Sequence, residues 1–188
     1  MKSSKIQLQF SMKNVFLLLA CLAGLSIGKC IAQPPSKVAH EQLKKLAYWQ
    51  GEWKGEASVR RGPGEPIKVN QEEHIEFRLD DTILLVEGIG RSPEDGSKTF
   101  NALAIINFDE ESSTFKMKSY LREGRSTDAY FKILEVNKFE WGFDVPSGKI
   151  RYTITLDPAK ATWNEIGFYS QDGTNWMQFM EMNLAKVK

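Results

Sequence analysis

Three observations predict the fold class of this chain. Apolar residues recur with period two along nearly everything after Trp49. Turn residues interrupt them at short intervals, and no crossover is long enough to carry a helix between strands. Together they predict an all-β protein: a single antiparallel up-and-down β-barrel of about ten strands, preceded by a short capping helix.

The first stretch reads as a targeting signal rather than as part of that fold. Lys2, Lys5 and Lys13 make a basic start, and Val15 to Ile27 is almost wholly apolar. Such a run is too short to span a membrane and has the length of a signal-peptide core. Cys30-Ile31-Ala32 places small residues ahead of a cut before Gln33. The expected domains are therefore a signal peptide over 1–32 and a barrel over 33–188, with secretion or periplasmic export. Leu18-Leu19-Ala20-Cys21 resembles a lipobox, but a cut there leaves too little apolar core, so the Gln33 cut is the reading taken.

Cleavage at Gln33 removes both cysteines, Cys21 and Cys30, and with them any thiolate chemistry. It also removes Lys2, Lys5, Lys13 and Lys29 from the 25 basic residues, leaving 21 against 24 acidic ones, a net charge near −3. A mildly acidic domain without a basic patch is not a nucleic-acid binder. No transmembrane segment is expected after cleavage.

The helix is read from Ser36 to about Tyr48, with Ser36 as its cap and Ala39, Leu43, Leu46 and Ala47 on one face. The strand faces follow in order. Trp53, Gly55, Ala57 and Val59 precede the turn Gly62-Pro63-Gly64, and Ile75, Phe77 and Leu79 precede Asp80-Asp81. Ile83, Leu85, Glu87 and Ile89 share the third face, and Phe100 to Phe108 alternate on the fourth. Phe115, Met117, Ser119 and Leu121 come next, then Ala129, Phe131 and Ile133, then Phe139, Trp141 and Phe143. Ile150, Tyr152, Ile154 and Leu156 are followed by Trp163, Glu165, Gly167 and Tyr169. Trp176, Gln178, Met180, Met182 and Leu184 finish the set. Glu72, His74, Glu76 and Arg78 fall on the opposite parity and predict a solvated outer face. Short connections and a charged carboxyl end argue against an outer-membrane barrel.

The segment Tyr48-Trp49-Gln50-Gly51-Glu52-Trp53-Lys54-Gly55 resembles the opening of calycin barrels, the lipocalin, fatty-acid-binding-protein and nitrobindin-like group. In those barrels a Gly-x-Trp follows a short helix and the Trp plugs one barrel end, so the resemblance implies that role for Trp53. Asn101 to Ile106, Trp163-Asn164-Glu165 and Glu181 to Leu184 are similar to an uncharacterised exported bacterial branch with a domain of unknown function. The haem-binding nitrobindins carry a proximal histidine on the last strand. Asn175 to Val187 contains no histidine, so that ligand is not carried over and no cofactor is expected.

Two acidic residues stand out. Glu87, between Leu85 and Ile89, and Glu165, between Trp163 and Gly167, each fall on an otherwise apolar strand face. A carboxylate aimed into a barrel has to be paired, protonated or bound to something polar. Tyr152, Gln178 and Ser119 share the expected inward parity, and Trp141 and Trp163 line the late strands. The ligand-binding set expected is therefore Glu165, Glu87, Tyr152, Trp163, Gln178 and Trp141. The competing reading is a strand end at the rim, or an internal pair with Arg151 or Arg125. His74 lies among Glu72 and Glu76 and reads as a surface residue. Gly88-Ile89-Gly90 reads as a turn or bulge, and no metal-ligand spacing or nucleophile elbow is present.

The expected function is binding of a small hydrophobic or amphipathic ligand. One alternative is an enzyme of isomerase or hydrolase type using an interior Glu as acid or base. The other is an interaction module whose barrel has no cavity.

Overall fold

The computed structural model describes residues 34–187, so the signal-peptide reading, with Cys21 and Cys30, lies outside the described residues. Among the described residues no helix is long and apolar enough to cross a membrane.

Helix α1, Lys37–Leu43, starts where the Ser36 Oγ accepts the Ala39 N–H at 3.0 Å. It continues not as α-helix but as a 3₁₀ segment, Lys44–Trp49. Three residues per turn bring Leu43, Leu46 and Trp49 onto one buried row. Ala47, expected on the buried face, is turned outward by the same tightening. Gly51, at φ 128°, then reverses the chain into the sheet.

Ten antiparallel strands follow: β1 Gly51–Val59, β2 Ile67–Arg78, β3 Ile83–Arg91, β4 Lys98–Asp109, β5 Thr114–Leu121, β6 Ser126–Glu135, β7 Lys138–Val145, β8 Gly148–Asp157, β9 Thr162–Ser170 and β10 Met177–Lys186. Each pairs with the next, and β1 also pairs with β10, so the sheet is a closed barrel. The seam sets Trp53 opposite Lys186, Gly55 opposite Leu184 and Val59 opposite Met180. Closure leaves no free sheet edge.

Most strand faces agree with the period-two reading, and three depart from it. Leu79, read as the end of the second strand, lies in the turn after it, where Leu79, Asp80 and Asp81 all take positive φ. The chain reverses there through left-handed backbone, and Leu79 is left exposed. On β3 the inner row is Leu84, Val86, Gly88 and Gly90, not Leu85, Glu87 and Ile89. Residues opposite each other on paired strands share a face, and Glu87 stands opposite the exposed His74. Both rows of β3 are apolar, so polarity alone does not choose between them. On β10 the register shifts between Gln178 and Met180, placing an extra residue, Phe179, in the strand. Gln178, paired with Phe168, is thereby carried to the outer face.

Gly88-Ile89-Gly90 is not a turn. Both glycines lie in the run of β3 with their open side inward, and the register shift comes only after Gly90.

Buried aromatic rings gather at the end covered by the helical segment. There Trp49 meets Phe131, Phe139 and Trp163 with ring centroids 5.7, 5.0 and 4.9 Å away. Each such side chain removed from water contributes about 1.5–3 kcal/mol. At the far end the same inward rows run out into solvent, with Ile67 50 % and Phe100 40 % exposed.

Candidate functional site

The base of the barrel is apolar and fixed. Trp53, on β1, is fully buried, and its indole Nε1–H donates to the Trp49 carbonyl at 2.8 Å. Tyr48 and Trp163 meet it edge-on at 5.8 and 5.6 Å. Lys186 crosses the seam to donate to the Tyr48 carbonyl at 2.9 Å, its ammonium 5.1 Å from the Trp53 ring centre.

Toward the far end the inner face becomes polar. Alternation on β2 sends Gln71 and Glu73 inward beside Ile75, and both are buried. The Gln71 amide donates to Glu73 Oε1 at 2.7 Å. Their neighbours on β3 are Gly90 and Gly88, and the head groups lie over this glycine pair: a Cβ on Gly88 would sit 2.8 Å from Glu73 Oε1. A larger residue on β3 would have displaced them.

Glu165 enters the same layer from β9 and is 5 % exposed. Trp141, on β7, donates its indole N–H to Glu165 Oε1 at 3.0 Å. Its ring lies flat on Tyr152 of β8, with centroids 4.0 Å apart and planes 10° from parallel. Phe179, set inward by the bulge on β10, meets the Tyr152 edge at 5.8 Å. The space over Gly167 is taken up by these rings, since a Cβ there would lie 2.8 Å from the Tyr152 ring. Trp163 is buried two residues before Glu165, and its indole N–H finds no hydrogen-bond partner.

No lysine, arginine or histidine among the described residues forms an ion pair with Glu73 or Glu165. Burial therefore dominates their titration. It pushes Glu73 up to about 8 against the Gln71 hydrogen bond, with the charges of Glu165 and Glu87 adding to the rise. It pushes Glu165 up to about 7 against the indole donors of Trp141 and Trp163. The Trp163 N–H thus favours the carboxylate without completing a hydrogen bond to it. Burial, with the Glu165 charge behind it, also lifts the Tyr152 hydroxyl above the ordinary phenol range.

Of the residues singled out in the sequence, Glu165, Trp141, Tyr152 and Trp163 come together inside the barrel. Glu87 does not: it lies outside, accepting from the Asn101 side-chain amide at 3.3 Å. Gln178 and Trp176 do not either. The Trp176 ring sits 4.0 Å from the Arg151 guanidinium, which reaches toward Glu140 on the outer face. Gln71 and Glu73 were missed, although they share parity with Ile75 and Phe77 and could have been found by running that alternation backward.

No family model matches the chain, and no curated protein does. Among solved structures it is similar to the crystal structure of Rv2717c from M. tuberculosis. The TM-score is 0.59 at 10 % identity, covering 78 % of this chain and 97 % of that one. At that identity the likeness is one of fold.

Proposed function

We propose that the protein is an exported, calycin-like barrel that holds a small, largely apolar molecule by a polar end set against Gln71, Glu73 and Glu165. The observation that carries this is a buried pair of carboxylates with no ion-pair partner among the described residues, above an apolar barrel base. Burying ionisable groups unpaired costs several kcal/mol, and proteins keep such groups where they bind or react. The Gly-x-Trp opening and the fully buried Trp53 support the calycin reading. The basic, then apolar, start supports export with cleavage before Gln33.

The test is mass spectrometry of small molecules released by denaturing protein purified from its native host. A stoichiometric, reproducible amphipathic compound is expected. A protein that comes through empty, and that binds no amphipath saturably afterwards, would remove the proposal.

One feature favours the enzymatic alternative: Glu165 and Glu73 titrate near neutrality, where an acid–base group works best. Glu165→Gln separates the two readings. A binder loses affinity, whereas an enzyme loses turnover with affinity retained.

A further inference from the structure

We propose that the polar end held in this layer is an ammonium group, seated between Glu73 and Glu165 against the Trp141–Tyr152 pair. This rests on the binding reading above and narrows it to a chemical class, amphipathic amines.

The charge distribution carries the choice. Between Trp53 and the far rim the inward rows bear two carboxylates and no basic side chain among the described residues. Lys186, which shares the inward parity, is held at the base by the Tyr48 carbonyl. From about pH 8, where both groups ionise, an anionic head group would meet two like charges without a counter-ion, at a cost that grows in a low dielectric. A cation gains from both carboxylates and from the adjoining aromatic faces.

The hydrogen bonding points the same way. Each carboxylate receives one side-chain hydrogen bond, from Gln71 or from Trp141. The remaining capacity is for accepting, which is what an ammonium, a donor only, requires. The buried, unpartnered N–H of Trp163 lies beside Glu165 and turns its positive end toward the ionised carboxylate. Burial opposes that ionised state, and a bound cation restores it. Binding of an amine at pH 8 should therefore release protons chiefly from Glu73, since Glu165 is by then largely ionised. The titratable groups facing them are Tyr152 on β8 and, from outside β3, Glu87.

The experiment is calorimetric titration of the purified protein at pH 8 with n-octylamine, octan-1-ol and sodium octanoate. The amine is expected to bind roughly tenfold or more tighter than the alcohol, and octanoate not at all. Glu73→Gln and Glu165→Gln should each lower amine affinity roughly tenfold, and by clearly more than they lower alcohol affinity. Repeating the parent titration in buffers of different ionisation heat measures proton release without any variant. Octanol binding as tightly as octylamine, octanoate binding best, or no proton release would overturn the ammonium assignment while leaving the binding reading intact. Failure of all three probes to bind would overturn both.

Discussion

Trp141 holds Glu165 by a single 3.0 Å hydrogen bond from its indole N–H. The ring bearing that N–H is itself fixed flat against Tyr152. The position of the carboxylate thus depends on an aromatic stack built on the two preceding strands, β7 and β8. Trp141→Phe keeps a ring for the stack and removes the donor. It should destabilise the protein by about 1–3 kcal/mol at pH 8, where Glu165 is ionised, and by clearly less at pH 5. Urea unfolding at the two pH values checks this, and equal losses would mean that the bond contributes nothing specific to the carboxylate.

Stability should fall as pH rises, the reverse of what paired carboxylates give. Glu73 and Glu165 titrate at about 8 and about 7 in the folded chain, against an ordinary value of 4.5. Between those limits the folded state keeps protons that the unfolded chain has released, so rising pH favours unfolding. The stabilisation is complete below the ordinary glutamate range, declines up to about pH 8 and is level beyond it. Asp172, exposed and held low by the amides of Asn175 and Thr174, acts only below that window. Thermal unfolding from pH 5 to 8.5 should show a declining midpoint, and Glu73→Gln should flatten the upper part of the decline. A midpoint that rises across this range would contradict the burial of both groups.

Gly88→Ala tests the glycine floor beneath Glu73. The added Cβ would lie 2.8 and 3.0 Å from the two carboxylate oxygens, which are the far end of a flexible side chain. The head group can move aside, so the loss of stability should stay under about 2 kcal/mol. Ligand affinity should fall further than stability does, because the acceptor is displaced. Paired urea unfolding and octylamine titration measure both, and unchanged affinity would take Glu73 out of the site.

The base of the barrel should behave oppositely. Trp53→Ala empties a fully buried position and should cost about 3–5 kcal/mol, while Trp53→Phe loses mainly the hydrogen bond to Trp49 and should cost about 1–2 kcal/mol. Chemical denaturation of both variants gives the comparison. A small loss for the alanine variant would show that the helical cover packs without it.

The sequence made the barrel legible because most of its strands are polar on one side only. Phe139, Trp141 and Phe143, or Ile150, Tyr152, Ile154 and Leu156, alternate with residues that belong in water. Where both sides are apolar, as on β3, the alternation is silent, and the inward row is set by its pairing with β2. The displacement of Gln178 depends on one inserted residue in β10, which is a property of strand pairing rather than of local composition. Glu165 was legible from its bulky neighbours Trp163 and Tyr169. Glu73 lies among Gln71, Glu72 and His74, a polar run in which inner and outer rows are alike in polarity.

The seam between β1 and β10 also governs when this protein can become itself. A nascent chain carrying everything up to β9 has two raw strand edges and no partner for either until the last strand emerges. Closing the ring spans the longest sequence separation of any strand pair here, since it brings Trp53 to Lys186. The barrel can therefore close only once β10 is available. A circular permutant that joins the two ends and opens the Asp95-Gly96 turn would move this last step elsewhere on the ring, changing the order of zippering while leaving the strand pairings intact.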